Sequence, residues 1–127
     1  MIDRIDILVL LDLIGAPNPV FENYMDEETG LCNPYNYELS DIEDAVARND
    51  DGKYFQRNCS KIDNSLDDHS PFIAKGLHKA LHLIADPFPA VWHTLHDDWD
   101  HLDLSSSAKV NRIIRLFVAE YLNLQIY

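Results

Sequence analysis

The sequence has no run of about 18 or more uninterrupted apolar residues, which excludes a membrane-spanning helix. Positive charge is also scarce: 10 Lys and Arg stand against 22 Asp and Glu, a formal net charge of -12. Phosphate backbones and anionic lipid surfaces are bound by clustered cations, so nucleic acid and acidic membranes are excluded as partners. An acidic surface serves solubility first and steers cationic or uncharged peptides second. An export signal is missing too. Met1-Ile2-Asp3-Arg4-Ile5-Asp6 places two acids where a signal peptide carries positive charge, and no small-residue cleavage site follows. Cysteine is limited to Cys32 and Cys59, which either pair or stay as free buried thiols, since nothing in the sequence fixes their distance. Asn58-Cys59-Ser60 fits the glycosylation acceptor pattern, which matters only in the secretory route.

What remains is enough for one domain: 127 residues, 46% of them hydrophobic. Ile5-Asp6-Ile7-Leu8-Val9-Leu10-Leu11 is short, apolar and branched, and Gly15-Ala16-Pro17-Asn18-Pro19 stops it, so a buried parallel strand is expected. A central strand needs neighbours on both edges, which suggests a segment upstream of it. Residues 22–33 are polar and acidic. Ser40-Asp41-Ile42-Glu43 supplies a capping box for a helix running through Ala47 and stopped by Asn49-Asp50-Asp51-Gly52. Lys53-Tyr54-Phe55-Gln56 resembles a strand, and residues 57–68 read as a long loop. Ser70-Pro71 opens a short helix that Gly76 ends, and Ala80-Leu81-His82-Leu83-Ile84-Ala85 is a second buried strand. The last helix, capped by Ser105-Ser106-Ser107, repeats Val110, Ile113, Ile114, Phe117, Val118 and Tyr121 at helical spacing. Strands alternating with helices predict an α/β fold, with layered helices on a mostly parallel sheet.

Asp12 ends the first strand, where open α/β sheets gather ligands, although an aspartate capping its own turn fits equally well. Asp67-Asp68-His69 closes the long loop. Adjacent carboxylates at a buried site raise one another's pKa and suit amide chemistry, against the plainer reading of an acidic loop before a helix. His82 and His78 read as core or strand-flanking histidines. His93 and His96 have a zinc-like spacing, yet no second Cys or His pair matches it, so the sequence pattern argues against a self-contained structural zinc site. His93 stands apart from His96 and His101 because Trp92 precedes it on a loop after a buried strand.

Three blocks then carry a resemblance. Leu8-Val9-Leu10-Leu11-Asp12-Leu13-Ile14-Gly15-Ala16-Pro17-Asn18-Pro19, Asp67-Asp68-His69-Ser70-Pro71-Phe72 and Pro87-Phe88-Pro89-Ala90-Val91-Trp92-His93-Thr94 together resemble the animal glutaminyl-peptide cyclotransferases, in the same order and at compatible separations. Phe117-Val118-Ala119-Glu120-Tyr121-Leu122 looks like that family's last helix. The resemblance implies that residues 1–127 are the C-terminal portion of a single zinc-aminopeptidase-like domain. It implies a zinc-dependent acyltransferase that converts N-terminal glutamine, or more slowly glutamate, of peptides into pyroglutamate with release of ammonia. By the same resemblance His93 is a ligand of one Zn2+, Trp92 and Phe88 shape the substrate pocket, and Leu66 offers it a backbone contact. Asp67 binds the substrate's α-amine and shares a hydrogen-bond network with Asp12. The other zinc ligands, an Asp and a Glu, and a catalytic glutamate lie upstream of the first block in that family, so the chain is expected to be incomplete and weakly active or inactive alone. Asn64-Ser65-Leu66 departs from the family, which has a branched apolar residue and a glutamine before the acid. A monomer, secreted or in the Golgi lumen, is expected. Two alternatives stand beside it: a non-catalytic fragment that binds peptide or a missing N-terminal half, and a relative of the zinc aminopeptidases.

Overall fold

In chain order the elements are β1 (Leu8–Asp12), β2 (Phe21–Met25), α1 (Pro34–Val46), β3 (Phe55–Ile62), α2 (Ser70–Ile73), β4 (Ala80–Ile84) and α3 (Leu104–Tyr121), with a 3-10 turn over Trp99–His101 before α3. The computed structural model describes residues 4–27, 29–47, 52–63 and 66–125. The two apolar runs, distant in sequence, lie side by side: β1 is parallel to β4, from Leu8 opposite Ala80 to Asp12 opposite Ile84. β2 is parallel to β3, and one antiparallel bridge between Phe21 and Ala85 joins the two pairs. The expected α/β fold with parallel strands is present, with the described strands arranged as two pairs. No helix among the described residues is long and apolar enough to cross a membrane.

β4 is buried as expected, with Leu81, Leu83 and Ile84 all at 5% exposure or less. β1 is only half-buried and Leu11 is 39% exposed, because β4 is its one partner strand among the described residues. Four other expectations shift. β2 lies within the stretch read as polar; its inward side chains, Phe21 and Asn23, are fully buried. β3 runs to Ile62 and takes up the first half of the expected loop. Helix α1 begins well before Ser40, because Asn33 Oδ1 accepts the Tyr35 N–H at 3.1 Å and Pro34 needs no hydrogen-bond partner in a first turn. Asp103, not a serine, caps α3 by accepting the Ser106 N–H at 2.6 Å. The expected helix stop at Asn49 to Asp51 lies outside the described residues, as do Asn64 and Ser65.

The core forms where α1 and α3 cover the strands. Phe21 and Phe55, opposite each other in the β2–β3 register, stack with ring centroids 5.0 Å apart and are fully buried. Burying each such ring contributes roughly 1.5–3 kcal/mol. From α3 come Val110, Ile113 and Phe117, all buried, whereas Val118 of the expected apolar face is 41% exposed. Gly15 touches the approach to α3: its carbonyl accepts the Asp103 N–H at 2.9 Å, and a Cβ there would lie 2.6 Å from Leu102 Cδ2.

Buried polar groups tie these layers together. Glu43 in α1 is 1% exposed; its Oε1 accepts the Tyr54 N–H at 2.8 Å and its Oε2 the Phe55 N–H at 2.9 Å. Lys109 of α3 brings its Nζ to 2.9 Å from Oε1 and lies 3.9 Å from the Tyr54 ring centre, adding a cation–π contact. One carboxylate therefore joins α1, the start of β3 and α3. Further along, β3 uses eight residues against five in β2, with register shifts around Asn23. The buried Asn23 amide satisfies this irregular stretch, donating to Arg57 O at 2.8 Å and accepting the Asn33 N–H at 3.0 Å. Cys59, opposite Asn23, is disulfide-bonded to Cys32, a closure across 27 residues that resolves the two cysteine alternatives as a pair.

Two stability outcomes follow from these contacts. Glu43→Ala removes the counter-charge of Lys109 and leaves two strand N–H groups without their acceptor, and urea denaturation should show a loss of about 3–5 kcal/mol; a loss below about 1 kcal/mol counts against the clasp. Cys59→Ser removes a loop closure worth about 3–4 kcal/mol in chain entropy. Reductant should lower the unfolding midpoint of the unmutated chain by the same amount and leave the variant unmoved.

Candidate active site

The polar centre of the molecule lies in the middle of β4. His82 is buried, and its Nδ1 is 2.7 Å from Asp63 Oδ2 while its Nε2 is 3.1 Å from Asp67 Oδ2. A neutral imidazole donates one hydrogen bond and an imidazolium two, so two carboxylate partners select the protonated ring. Burial acts to lower the His82 pKa, but the hydrogen bond and charge of Asp63, followed by those of Asp67, outweigh it and leave it raised. His69 lies against this ring at 4.3 Å between centroids and is 3.6 Å from Asp63 through Nε2. Its pKa is lowered, first by burial and then by the charge of His82, against the pull of Asp63 and Asp67. Its Nδ1 is buried without a hydrogen-bond partner among the described residues. Tyr24 of β2 also stacks on His82, 6.3 Å away, and burial with the charges of Asp86 and Asp63 pushes its hydroxyl up to about 12.

Asp67 is thus held at both oxygens: Oδ1 accepts the Asp68 N–H at 2.7 Å and Oδ2 meets His82. The hydrogen-bond network expected between Asp67 and Asp12 is corrected by these contacts. Asp12 turns back on its own chain, where Oδ1 accepts the Leu13 N–H at 2.8 Å, and Leu13 adopts a left-handed φ of 53°. The turn-capping alternative describes Asp12, and the network of Asp67 runs to His82 and Asp63. Asp63 was missed because residues 57–68 read as a loop. With β3 ending at Ile62, Asp63 stands just past a strand's carboxyl end, the position that drew attention to Asp12.

The loop after β4 carries the aromatic residues. Phe88 and Trp92 meet edge to face at 4.8 Å, and Trp92 stacks on His93 at 3.8 Å, with planes 20° apart. Phe88 is 44% and Trp92 39% exposed, so both present faces to solvent. His93 has φ 57°, a left-handed conformation unusual for a residue with a side chain and often found at functional sites. Backbone bonds hold the turn, with Trp92 N–H to Pro89 O and Thr94 N–H to Val91 O, both at 3.0 Å. Because β1 and β4 are parallel, the loops that follow them leave the same edge. Leu13, Gly15 and Ala16 from the first and Val91 and Trp92 from the second share a cavity of about 80 Å³ with Asp98, His101 and Leu102. Leu66, one residue before Asp67, is 96% exposed.

Two groups of three side chains among the described residues bring donor atoms within 4.8 Å of one another: Asp63, His69 and His82, and His96, Asp98 and His101. His93 belongs to neither. Its exposed imidazole suits a metal ion as one donor.

Comparison with known proteins places these features in a lineage. The glutaminyl-peptide cyclotransferase of Boiga irregularis is 40% identical over 126 residues, covering 97% of this chain and 34% of that protein. The chain therefore spans about a third of the length of the curated relatives it matches. Among solved structures, the glutaminyl cyclase of Macrostomum lignano superposes with a TM-score of 0.89 at 28% identity, over 100% of this chain and 42% of that one. A leucine aminopeptidase precursor from Bacteroides thetaiotaomicron superposes with a TM-score of 0.61 at 27% identity, over 84% of this chain and 34% of its own. Residues 1–118 match Peptidase family M28, and with the fold shared by a cyclase and an aminopeptidase, the chain belongs to that family.

Proposed function

We propose that this chain is the C-terminal portion of a single glutaminyl cyclase domain, forming N-terminal pyroglutamate on peptides with release of ammonia. The observation that carries the reading is the Phe88–Trp92–His93 stack, an aromatic wall ending in an exposed imidazole on a left-handed turn. The similarity to glutaminyl-peptide cyclotransferases supports it, and the higher TM-score against a cyclase than against an aminopeptidase favours it over peptide hydrolysis.

In this reading His93 is one ligand of a single zinc, whose other ligands come from outside this chain's residues. When bound, zinc polarises the γ-amide carbonyl of the substrate glutamine. Trp92 and Phe88 flank the glutamine side chain and exclude water from the reacting amide. Asp67, held in place by the His82 ring, receives the α-amine and aims its lone pair at the carbon of the γ-carboxamide. Ring closure forms the N–C bond, breaks the bond to the amide nitrogen and moves a proton from the amine to the departing ammonia. Leu66 contributes a backbone contact. Asp12 sets the turn that leads into the shared cavity. The acidic surface suits peptides with a free ammonium terminus. The Cys32–Cys59 disulfide fits an oxidising compartment, in line with a secreted or Golgi-lumen enzyme.

Grafting residues 1–127 in place of the matching segment of the Macrostomum lignano enzyme tests the assignment. The chimaera should cyclise glutaminyl dipeptides, and His93→Ala in the graft should lower kcat/KM by more than about a hundredfold. Asp67→Asn should cost about 10²–10⁴-fold. A folded chimaera that hydrolyses leucyl peptides without cyclising glutaminyl ones would establish the aminopeptidase instead.

A second measurement addresses the charge on His82. Its folded pKa lies above the ordinary histidine value of 6.5, so its stabilising charge is full below that pH and fades as pH rises through the raised value. NMR titration should place the His82 imidazole above the ordinary value of 6.5, and Asp63→Asn should bring it down. An unchanged His82 midpoint in that variant would remove Asp63 as the cause.

A further inference from the structure

We propose that His96, Asp98 and His101 form a zinc-binding site of their own, separate from any role of His93. One ligand atom from each lies within 4.8 Å of the others, close enough for a single ion to reach all three. Two imidazoles and a carboxylate are a set that divalent transition ions prefer, whereas Mg2+ and Ca2+ favour oxygen-only sites. All three side chains are exposed, so water completes the coordination and no burial penalty opposes an incoming ion.

The backbone sets this arrangement before any ion arrives. Thr94 Oγ1 donates to Val91 O at 2.6 Å and accepts the His96 N–H at 3.1 Å, which fixes where His96 leaves the turn. Asp98 caps the Trp99–His101 turn through Oδ1, which accepts the Asp100 N–H at 3.1 Å and lies 2.7 Å from His101 Nδ1. The His96 and His101 rings are 5.3 Å apart and tilted by 59°, so neither stacks flat over the other's nitrogens. Asp98 and His101 also line the small cavity that contains Trp92. An ion bound there would close the segment between His93 and α3 into a loop clamped at its middle.

The other histidine group serves this purpose less well. Both ring nitrogens of His82 already face carboxylates, so an ion at Asp63, His69 and His82 would have to break hydrogen bonds that hold Asp67.

Zinc titration of the 127-residue chain by calorimetry tests the assignment, with His93→Ala as the background that removes the other candidate ligand. One equivalent should bind His93→Ala with a Kd of about 10 µM or tighter. Adding His96→Ala and His101→Ala together should abolish that equivalent, and Asp98→Asn should weaken it by about tenfold. In the unmutated chain, the imidazole resonances of His96 and His101 should shift together to a one-equivalent endpoint, which keeps the test independent of how the variants fold. The site is refuted by absence of binding in His93→Ala, by equal binding after both histidines are removed, by unmoved resonances of either ring, or by equal competition from Mg2+.

Discussion

One buried carboxylate sets the geometry on which the rest of the molecule depends. Glu43 arises from α1 and accepts successive strand N–H groups at Tyr54 and Phe55, with the Lys109 ammonium from α3 neutralising it. Burying such a charge costs several kcal/mol, and only a full set of partners offsets that cost. Because the two N–H groups belong to neighbouring residues, the carboxylate specifies where β3 begins as well as holding it. Phe55 then falls opposite Phe21, the ring pair at the centre of the core. The hydrophobic cluster and the ionic clasp are thus two descriptions of one packing decision.

Legibility in the sequence followed the apolar content of each element. β1 and β4 were readable because Leu8 to Leu11 and Leu81 to Ile84 are nearly continuous runs, and the spacing of Val110, Ile113 and Phe117 identified α3. β2 was not, because Phe21-Glu22-Asn23-Tyr24-Met25 buries an amide where an apolar residue is the usual signal. β3 carries Gln56, Arg57, Asn58 and Lys61, whose outward positions and irregular register hide the period of two that identifies a strand. The start of α1 was obscured by a stronger-looking pattern downstream: Ser40 and Glu43 have the spacing of a capping box, yet both side chains are buried inside the helix's core face. Competing local motifs of this kind are separated only by tertiary packing.

The candidate site divides in the same way. The resemblance marked Asp67, Trp92, Phe88 and His93 because they lie in contiguous blocks, and the structure adds how they are held. The partner of Asp67 could not be read, since His82 reaches it from the middle of one strand and is itself met by Asp63 from the end of another. His82 read as a hydrogen-bonded core histidine, and that is what it is; its importance comes from the charge of its neighbours. Asp12 shows the converse, a residue in a promising position whose carboxylate is taken by the next peptide N–H.

The irregular register between β2 and β3 has a topological consequence. Side chains alternate across a strand, so residues inserted into or deleted from the stretch between Phe55 and Ile62 change which face every later residue occupies. Asp63 follows that stretch directly, and its carboxylate must point toward β4 to meet His82. The extra residues of β3, held by the Asn23 amide and pinned at Cys59, therefore act as a phase setting for the acid beyond them. The outward side chains of β3 can vary without moving that acid, whereas Phe55, Cys59 and the number of residues in the strand cannot.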